Sequence, residues 1–478
     1  MNKLLLIILT YLLLSGAFIF NFSKSHNHLP TGCDEFGYLQ LSEEFDKTNE
    51  RTLFLNPLIS DLKEKEFDYR EYAWLITPHA YHIAKEKSVP VNQYQPGTSF
   101  LLSFFAKDVK QILFPGLVVL LSGLIAFIFS LNSKNNKLHQ LIFTFLSISF
   151  FAVPFLSEFS RINSLAFTFP LLLVAGAIFK DKPFAALLLV VFSINFRIAN
   201  ALIAIPFGIW FLWKGKPFDN FWKWGLLLLA LLPILLYQWM VMGNPIATTY
   251  SANDLGFNNL TQAVANLKYY FDFGKGWFKV HFILLMIFGG LFFYKKEFRS
   301  TILFWLILTG INYLYFLFHS IQINYYPYAT AIIGMGILGD FIFRIVAFKH
   351  FQKILLGIAL VVFIISCVRY NQKNIKSLET NNTEQQLMGA VANVDVVWGN
   401  MYTGTTEYVH HNHGMRYFAG TKRSRLFVVK WLKDHDYQQA FILNDLGLDK
   451  GVLLKELDSE EINFSIREVG KWEILILE

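Results

Sequence analysis

Two carboxylates stand side by side in Cys33-Asp34-Glu35-Phe36-Gly37-Tyr38, a few residues after the first apolar run of the chain. An adjacent acid pair at a membrane surface is a candidate general base, because a positioned carboxylate can take the proton of an attacking hydroxyl. The same residues suit the first turn of a helix, where acids oppose the macrodipole and Leu39, Leu41 and Phe45 supply an apolar face. A second stretch is Asn92-Gln93-Tyr94-Gln95-Pro96-Gly97-Thr98-Ser99-Phe100. Its Pro-Gly forces a turn, which presents Tyr94 and Gln95 to a headgroup or simply returns the chain to the membrane. In a third, Asn195-Phe196-Arg197-Ile198-Ala199-Asn200, a cation sits between two apolar runs. An ionisable residue there is a functional candidate by default, and its plain alternative is to tie off two short helix ends. Other candidates carry equally plain readings. Arg161 stands at a span end, where arginine snorkels. His79 and His82 share a face if 78–87 is helical, as they would in an interfacial amphipathic helix. Lys85 and Lys268 read as solvated charges, and Tyr325 as part of an aromatic belt at the start of a span. His410, His411 and His413 resemble a metal cluster, but only Glu407 stands near them and zinc sites want three or four ligands. No metal ligand set is assigned.

The elements that would position these residues are mostly apolar. Of 478 residues, 54% are hydrophobic, 17% aromatic and only 16% charged, with a mean hydropathy of +0.39. Soluble domains carry about 25% charge. Disorder, a collagen-like chain and a small disulfide scaffold are excluded, and Cys33 and Cys367 allow at most one bridge. Apolar runs fall at 4–20, 111–131, 138–156, 161–179, 184–196, 198–213, 224–242, 277–294, 300–318, 325–346 and 353–369. The fifth and sixth are short and predict a bent or re-entrant pair. Basic residues gather in alternate loops, after segments two, four, six, eight and ten, so those loops are expected in the cytoplasm. The N-terminus is then inside and the C-terminus outside. The first run is expected to be an uncleaved anchor, and the net charge of +7 reads as topology signal rather than as a nucleic-acid surface. The expected layout is an α-helical polytopic membrane protein of about eleven transmembrane or re-entrant helices, residues 1–369, with a long extracytoplasmic loop at 21–109. Residues 370–478 are expected to form a small α/β extracytoplasmic domain. Its strands are read at Val394–Trp398 and Ala440–Asn444, its helix at Arg425–Lys433, and a hairpin of Ile462–Glu468 and Trp472–Leu477 turns at Gly470.

An outer loop that opens with Asp-Glu-x-x-Tyr and closes on a Tyr-x-Pro-Gly-x-Ser turn resembles the GT-C superfamily of membrane glycosyltransferases, the group of the protein mannosyltransferases and aminoarabinose transferases. Ser160-Arg161-Ile162-Asn163-Ser164, the Asn195–Asn200 stretch and Gly243-Asn244-Pro245-Ile246-Ala247-Thr248-Thr249-Tyr250 resemble further pieces of that pattern. Gln95 and Thr249 depart from it, standing where many members have Pro and Gly. The resemblance implies an inverting transfer of a sugar from a polyprenyl-phosphate carrier to a glycan, lipid or protein acceptor outside the cytoplasm, by an integral protein of a bacterial inner membrane. It maps Asp34 onto the general base and Glu35 onto acceptor positioning or help with a divalent metal, the one cofactor left open. The departing phosphate needs cations or donors aimed at it. Arg197, Arg161, His79, His82, Lys85, Tyr94, Gln95, Lys268 and Tyr325 are the candidates.

Two other classes compete. A lipid or sugar-lipid transporter would explain the broken helix at Asn195–Asn200, but no internal repeat is evident and two long polar regions lie on one face. An O-antigen-type polymerase or ligase shares the architecture, but typically keeps its large loop later in the chain and lacks an acidic pair after the first span.

Overall fold

The structure is a computed structural model that describes residues 33–46, 81–84, 89–106, 109–110, 114, 162, 164–214, 221–247, 260–272, 276–319, 322, 327–345, 386–399, 416–419, 425–444 and 450–478, with single positions at 13, 16, 354, 361 and 365. The runs expected at 4–20, 111–131, 138–156 and 353–369 lie outside the described residues apart from single positions.

Within the expected outer loop, helix α1 (Cys33–Asp46) is followed by strands β1 (Tyr81–Ala84) and β2 (Val89–Asn92), and then by helix α2 (Pro96–Ser103). The strands pair antiparallel, His82 opposite Val91 and Tyr81 opposite Asn92. The helix that would have put His79 and His82 on one face is therefore not formed. Tyr81 and Ile83 suit a pleated ladder, and Val89-Pro90-Val91 supplies its partner.

The helical body follows: α3 (Ser164–Ile178), α4 (Pro183–Ser193), a single 3-10 turn (Ile198–Asn200), α5 (Ala201–Lys214), α6 (Trp222–Met242), α7 (Leu260–Tyr270), α8 (Gly276–Tyr294), α9 (Arg299–Leu317) and α10 (Tyr328–Ile345). Seven of the apolar runs thus reappear as or within helices, with ends shifted by a few residues. Among the described residues two helical stretches, Trp222–Met242 and Lys296–Leu317, are long and apolar enough to cross a bilayer. Only 28% and 44% of their apolar windows are buried in the protein. Exposed Leu228, Leu229 and Trp239 on α6, and Leu303, Ile307 and Leu314 on α9, form a surface that water would not tolerate and lipid does.

At 11 residues, α4 is about 16 Å long by helical rise, half of a bilayer core. Phe184 at its start meets Phe211 near the end of α5, ring centroids 5.6 Å apart. The chain therefore doubles back, and α4 and α5 form a helical hairpin rather than one bent span. Phe184 also meets Trp222, 5.6 Å between centroids, so α6 starts beside the open end of that hairpin. The centre of the body is the α3–α10 contact. A Cβ on Gly176 would strike the Ile333 carbonyl, and one on Gly336 the Leu173 carbonyl, so the two backbones approach as only glycine allows. Trp305 of α9, buried, locks onto α10 by donating its indole N–H to the Thr330 carbonyl at 2.9 Å.

The tail residues build a five-stranded mixed sheet from β3 (Val396–Gly399), β4 (Arg416–Ala419), β5 (Gln439–Ile442), β6 (Phe464–Val469) and β7 (Trp472–Leu477), in the order β4-β3-β5-β7-β6. β3 pairs parallel with β4 and β5, while β7 pairs antiparallel with β5 and β6. Helices α11 (Arg425–Asp434) and α12 (Lys450–Ser459) carry Val428, Val429, Leu432, Leu453 and Leu457 into the core over Trp398 and Phe441. Gly470 turns the β6–β7 hairpin with φ 61°. β4 and α12 had not been read from the sequence.

Candidate functional site

Asp34 sits in the first turn of α1, half-buried, and Glu35 beside it is enclosed at 1% exposure. The turn 60 residues later comes back to meet it. The Tyr94 hydroxyl donates to Asp34 Oδ1 at 2.7 Å, and the Gln93 amide donates to the same hydroxyl at 3.2 Å. Tyr94 also packs on Tyr38, ring centroids 4.6 Å apart. The two stretches singled out separately in the sequence therefore form one corner.

Asparagine side chains hold this corner. Asn92 donates from Nδ2 to the Gly37 carbonyl of α1 at 2.8 Å and accepts the Tyr94 N–H on Oδ1 at 3.0 Å. One amide thus fixes both the height of Tyr94 and its distance from α1. Asn195 does the equivalent one layer deeper. Pro233 interrupts α6 and carries no N–H of its own. Beside it, Asn195 donates to the Ala230 carbonyl at 2.7 Å and accepts the Ile234 N–H at 2.9 Å. The side chain bridges Ala230 and Ile234 next to the proline and staples the hairpin apex to α6. Its own carbonyl accepts the Gly97 N–H at 2.9 Å. A Cβ on Gly97 would come within 2.7 Å of that oxygen, which leaves glycine as the residue that fits. α1, α2, α4 and α6 are thereby tied together around Asp34.

Arg197 caps the 3-10 turn at the same apex and is buried, with Tyr315 of α9 within its electrostatic reach. Asn200 closes the apex by donating to Ser193 Oγ at 3.0 Å. Phe196, one residue before Arg197, packs in the same apolar cluster as Phe36, Tyr38 and Tyr94. Counting helical rise along α6, Ile234 lies about 18 Å from the Trp222 end. The apex is thus recessed into the depth of the bundle, and the last two turns of α6 rise above it.

Those last turns make one wall of a small, half-open cleft with room for little more than a water. Asn92, Gln93, Tyr94 and Gln95 line one side, and Tyr237 and Gln238 of α6 the other. Val241, Met242 and Ala247 also line it, and Val241 and Met242 pack on the buried Val91. Asn244 accepts the Ile246 N–H on Oδ1 at 3.0 Å, and this turn brings Ala247 to the cleft.

Other expected site residues are placed apart or not described. Lys268 is exposed near the end of α7. The β1–β2 register carries His82 to within a few residues of Tyr94 along the ladder. His79, Lys85, Arg161 and Tyr325 lie outside the described residues, as do His410, His411 and His413. Among the described residues no three His, Cys, Asp or Glu side chains converge as a metal site would require. Sequence reasoning passed over Asn195's bonds to α6 and the buried Lys110, whose ammonium donates to Ser42 Oγ of α1 at 3.1 Å. A lysine at a span edge reads as snorkelling, and an asparagine does not reveal which backbone it will meet.

No family model matches the chain, and no curated protein matches it by sequence. Solved structures do match it. Over 99% of this chain and 97% of the other, it is similar to ArnT from Cupriavidus metallidurans bound to undecaprenyl phosphate, at 11% identity and a TM-score of 0.55. The apo state of the same protein matches over the same shares, at 11% identity and a TM-score of 0.52. The fold of nearly the whole chain is thus similar to that of ArnT.

Proposed function

We propose that the protein is an integral-membrane glycosyltransferase that moves a sugar, with inversion, from a polyprenyl-phosphate donor to an acceptor hydroxyl outside the cytoplasm. The observation that carries this reading is the 2.7 Å bond from Tyr94 to Asp34 Oδ1 inside an ArnT-like fold. The phenol engages one carboxylate oxygen and holds the group in place, which leaves the carboxylate aimed as a base for an acceptor hydroxyl. That hydroxyl attacks the anomeric carbon, its proton passes to Asp34, and the carrier phosphate departs with the bonding pair. Charge grows on the phosphate, and Arg197, fixed at the recessed apex, is the cation assigned to it. His79, His82, Lys85, Arg161 and Tyr325 are further candidates for phosphate or sugar contact, and Glu35 backs Asp34 as a positioning residue. A donor with an undecaprenyl-type carrier is in keeping with the ligand of the ArnT structure. The cytoplasmic N-terminus and the extracytoplasmic tail belong to the same reading, as basic loops place them.

The test is turnover of labelled polyprenyl-phosphate sugars by membranes carrying wild-type protein or Asp34→Asn. The substitution is nearly isosteric and removes the base. Transfer is expected to fall by about 10²-fold or more, the scale of a lost general base. Equal rates for the two proteins would remove Asp34 from the chemistry. A labelled lipid that changes leaflet while no sugar is released would mark a transporter instead.

A further inference from the structure

Between the apex and the open end of the α4–α5 hairpin, the hairpin and the first turns of α6 flank an apolar groove of about 430 Å³. Three lysines gather at its open end: Lys182 just before α4, Lys214 closing α5, and Lys223 in the first turn of α6. We propose that groove and lysines together bind one anionic phospholipid, taken from the leaflet that meets the basic loops. This lipid is neither donor nor acceptor of the sugar, so the inference stands apart from the glycosyl-transfer reading.

The shape suits a chain. Leu187, Val191 and Leu227 form a buried floor, while Ile205 and Leu228 stand out as rims at 56% and 65% exposure. The surface is therefore a channel and not a flat lipid-facing wall. From Trp224 to Leu231 it runs about 10 Å by helical rise, most of the roughly 15 Å of hydrocarbon in one leaflet. An acyl chain is the apolar molecule of that length that a membrane supplies. The charge lies where its headgroup would be. Lys223 Nζ stands 5.8 and 5.9 Å from the ring centroids of Phe184 and Phe211, and the Phe211 ring is 6.1 Å from that of Trp224 in the groove. Lys214 Nζ lies 3.8 Å over the Trp213 ring. Among the described residues none of the three lysines is paired with a carboxylate, although Asp181 adjoins Lys182 in sequence. Exposed Trp213 and Trp222 mark the same level, where indoles sit among headgroups. A lipid phosphodiester is drawn to such a cluster by about fivefold in affinity for each lysine. A polyprenyl tail descending from a phosphate at the apex would instead end among these ammonium groups and give them no counter-charge.

The experiment titrates the purified full-length protein with phosphatidylglycerol and with phosphatidylcholine of the same chains, and counts retained lipid by native mass spectrometry. A phosphatidylglycerol with a photoactivatable group on one chain marks the residues it touches. Phosphatidylglycerol is expected to bind at least about tenfold more tightly, and the advantage should shrink as salt is raised. Crosslinks should fall on Ile205 and Leu228. Replacing Lys214 and Lys223 together by Gln should weaken phosphatidylglycerol by about tenfold or more, while Arg at both positions should keep it, a contrast that a folding defect cannot produce. Ala204→Phe, which fills the groove, should abolish the crosslinks, and Leu229→Phe, on the exposed side of α6 outside the lining, should leave them. Equal binding of the two lipids, a glutamine pair that changes nothing, or crosslinks that fall elsewhere overturns the inference. So does undecaprenyl phosphate, if at equal concentration it displaces the probe from Ile205 and Leu228, because the groove then belongs to the carrier.

Discussion

The corner around Asp34 and the sheet of the tail are held together by opposite means. In the tail, the central strands β3 and β5 are buried along their whole length, helices lay one apolar face on the sheet, and Trp398 stacks on Phe441 with rings 4° from parallel. Its stability comes from area removed from water, spread over many residues. Around Asp34, the contacts that set geometry are few and directional: Asn92 to Gly37, Asn195 to Ala230 and Ile234, Tyr94 to Asp34. Apolar packing tolerates small displacements, whereas a hydrogen bond weakens steeply with distance and angle. A site that must aim a carboxylate is therefore built from polar pins, and the tail is not.

The sharpest way to break that contrast is in the tail. Trp398→Ala should cost about 3–5 kcal/mol through the cavity it leaves, and it also strands Gln439 Oε1, which accepts the indole N–H at 3.0 Å. Chemical denaturation followed by fluorescence of the purified protein reads the loss. A cost under about 1 kcal/mol would mean that the tail is not a cooperative apolar core.

Next in size comes Asn195→Leu. The side chain keeps its bulk but orphans the Ala230 carbonyl and the Ile234 N–H, at about 1–3 kcal/mol for each buried group. Transfer should fall together with stability, because the staple also fixes the apex that bears Arg197. If transfer stays at the wild-type rate, the pins are not what positions the site.

How far this was legible beforehand follows the same division. The helices at Ser164–Ile178, Trp222–Met242 and Arg299–Leu317 were visible because apolar length is a local property. The hairpin at Gly470 was visible because glycine punctuates two alternating runs. Asp34 and Tyr94 each stood out by residue type and nearby turn chemistry, yet nothing local says that a phenol will reach a carboxylate 60 residues away. The β1 strand was missed because Tyr81-His82-Ile83-Ala84 is too short to show a period, and its strand character depends on a partner. Asn195 was flagged only as a polar interruption. Its bond to a proline-broken helix 35 residues on is information that belongs to the pair.

A milder test of the corner is Tyr94→Phe. The ring keeps its 4.6 Å packing on Tyr38 while Asp34 loses one donor. Stability should change by about 1 kcal/mol, the net value of one hydrogen bond. The transfer rate should drop by about tenfold in kcat with little change in donor KM, since a looser carboxylate spoils the reacting geometry more than binding. A pure KM effect would reassign Tyr94 from positioning Asp34 to holding substrate.

The smallest effect is expected where the tail does use charge. Lys430 on α11 pairs with Glu460, both partly exposed, as does Lys450 on α12 with Glu473. Pairs of this kind give up side-chain freedom for a Coulomb gain that water and salt weaken, and are worth about 0–1 kcal/mol. A double-mutant cycle on Lys430→Met and Glu460→Gln should therefore return a coupling below about 1 kcal/mol, shrinking further as salt is raised. A coupling as large as that expected for Asn195 would make the tail a pinned structure too, and the difference in construction between the two regions would disappear. A small one leaves directional bonding concentrated at the corner where a reaction needs aim.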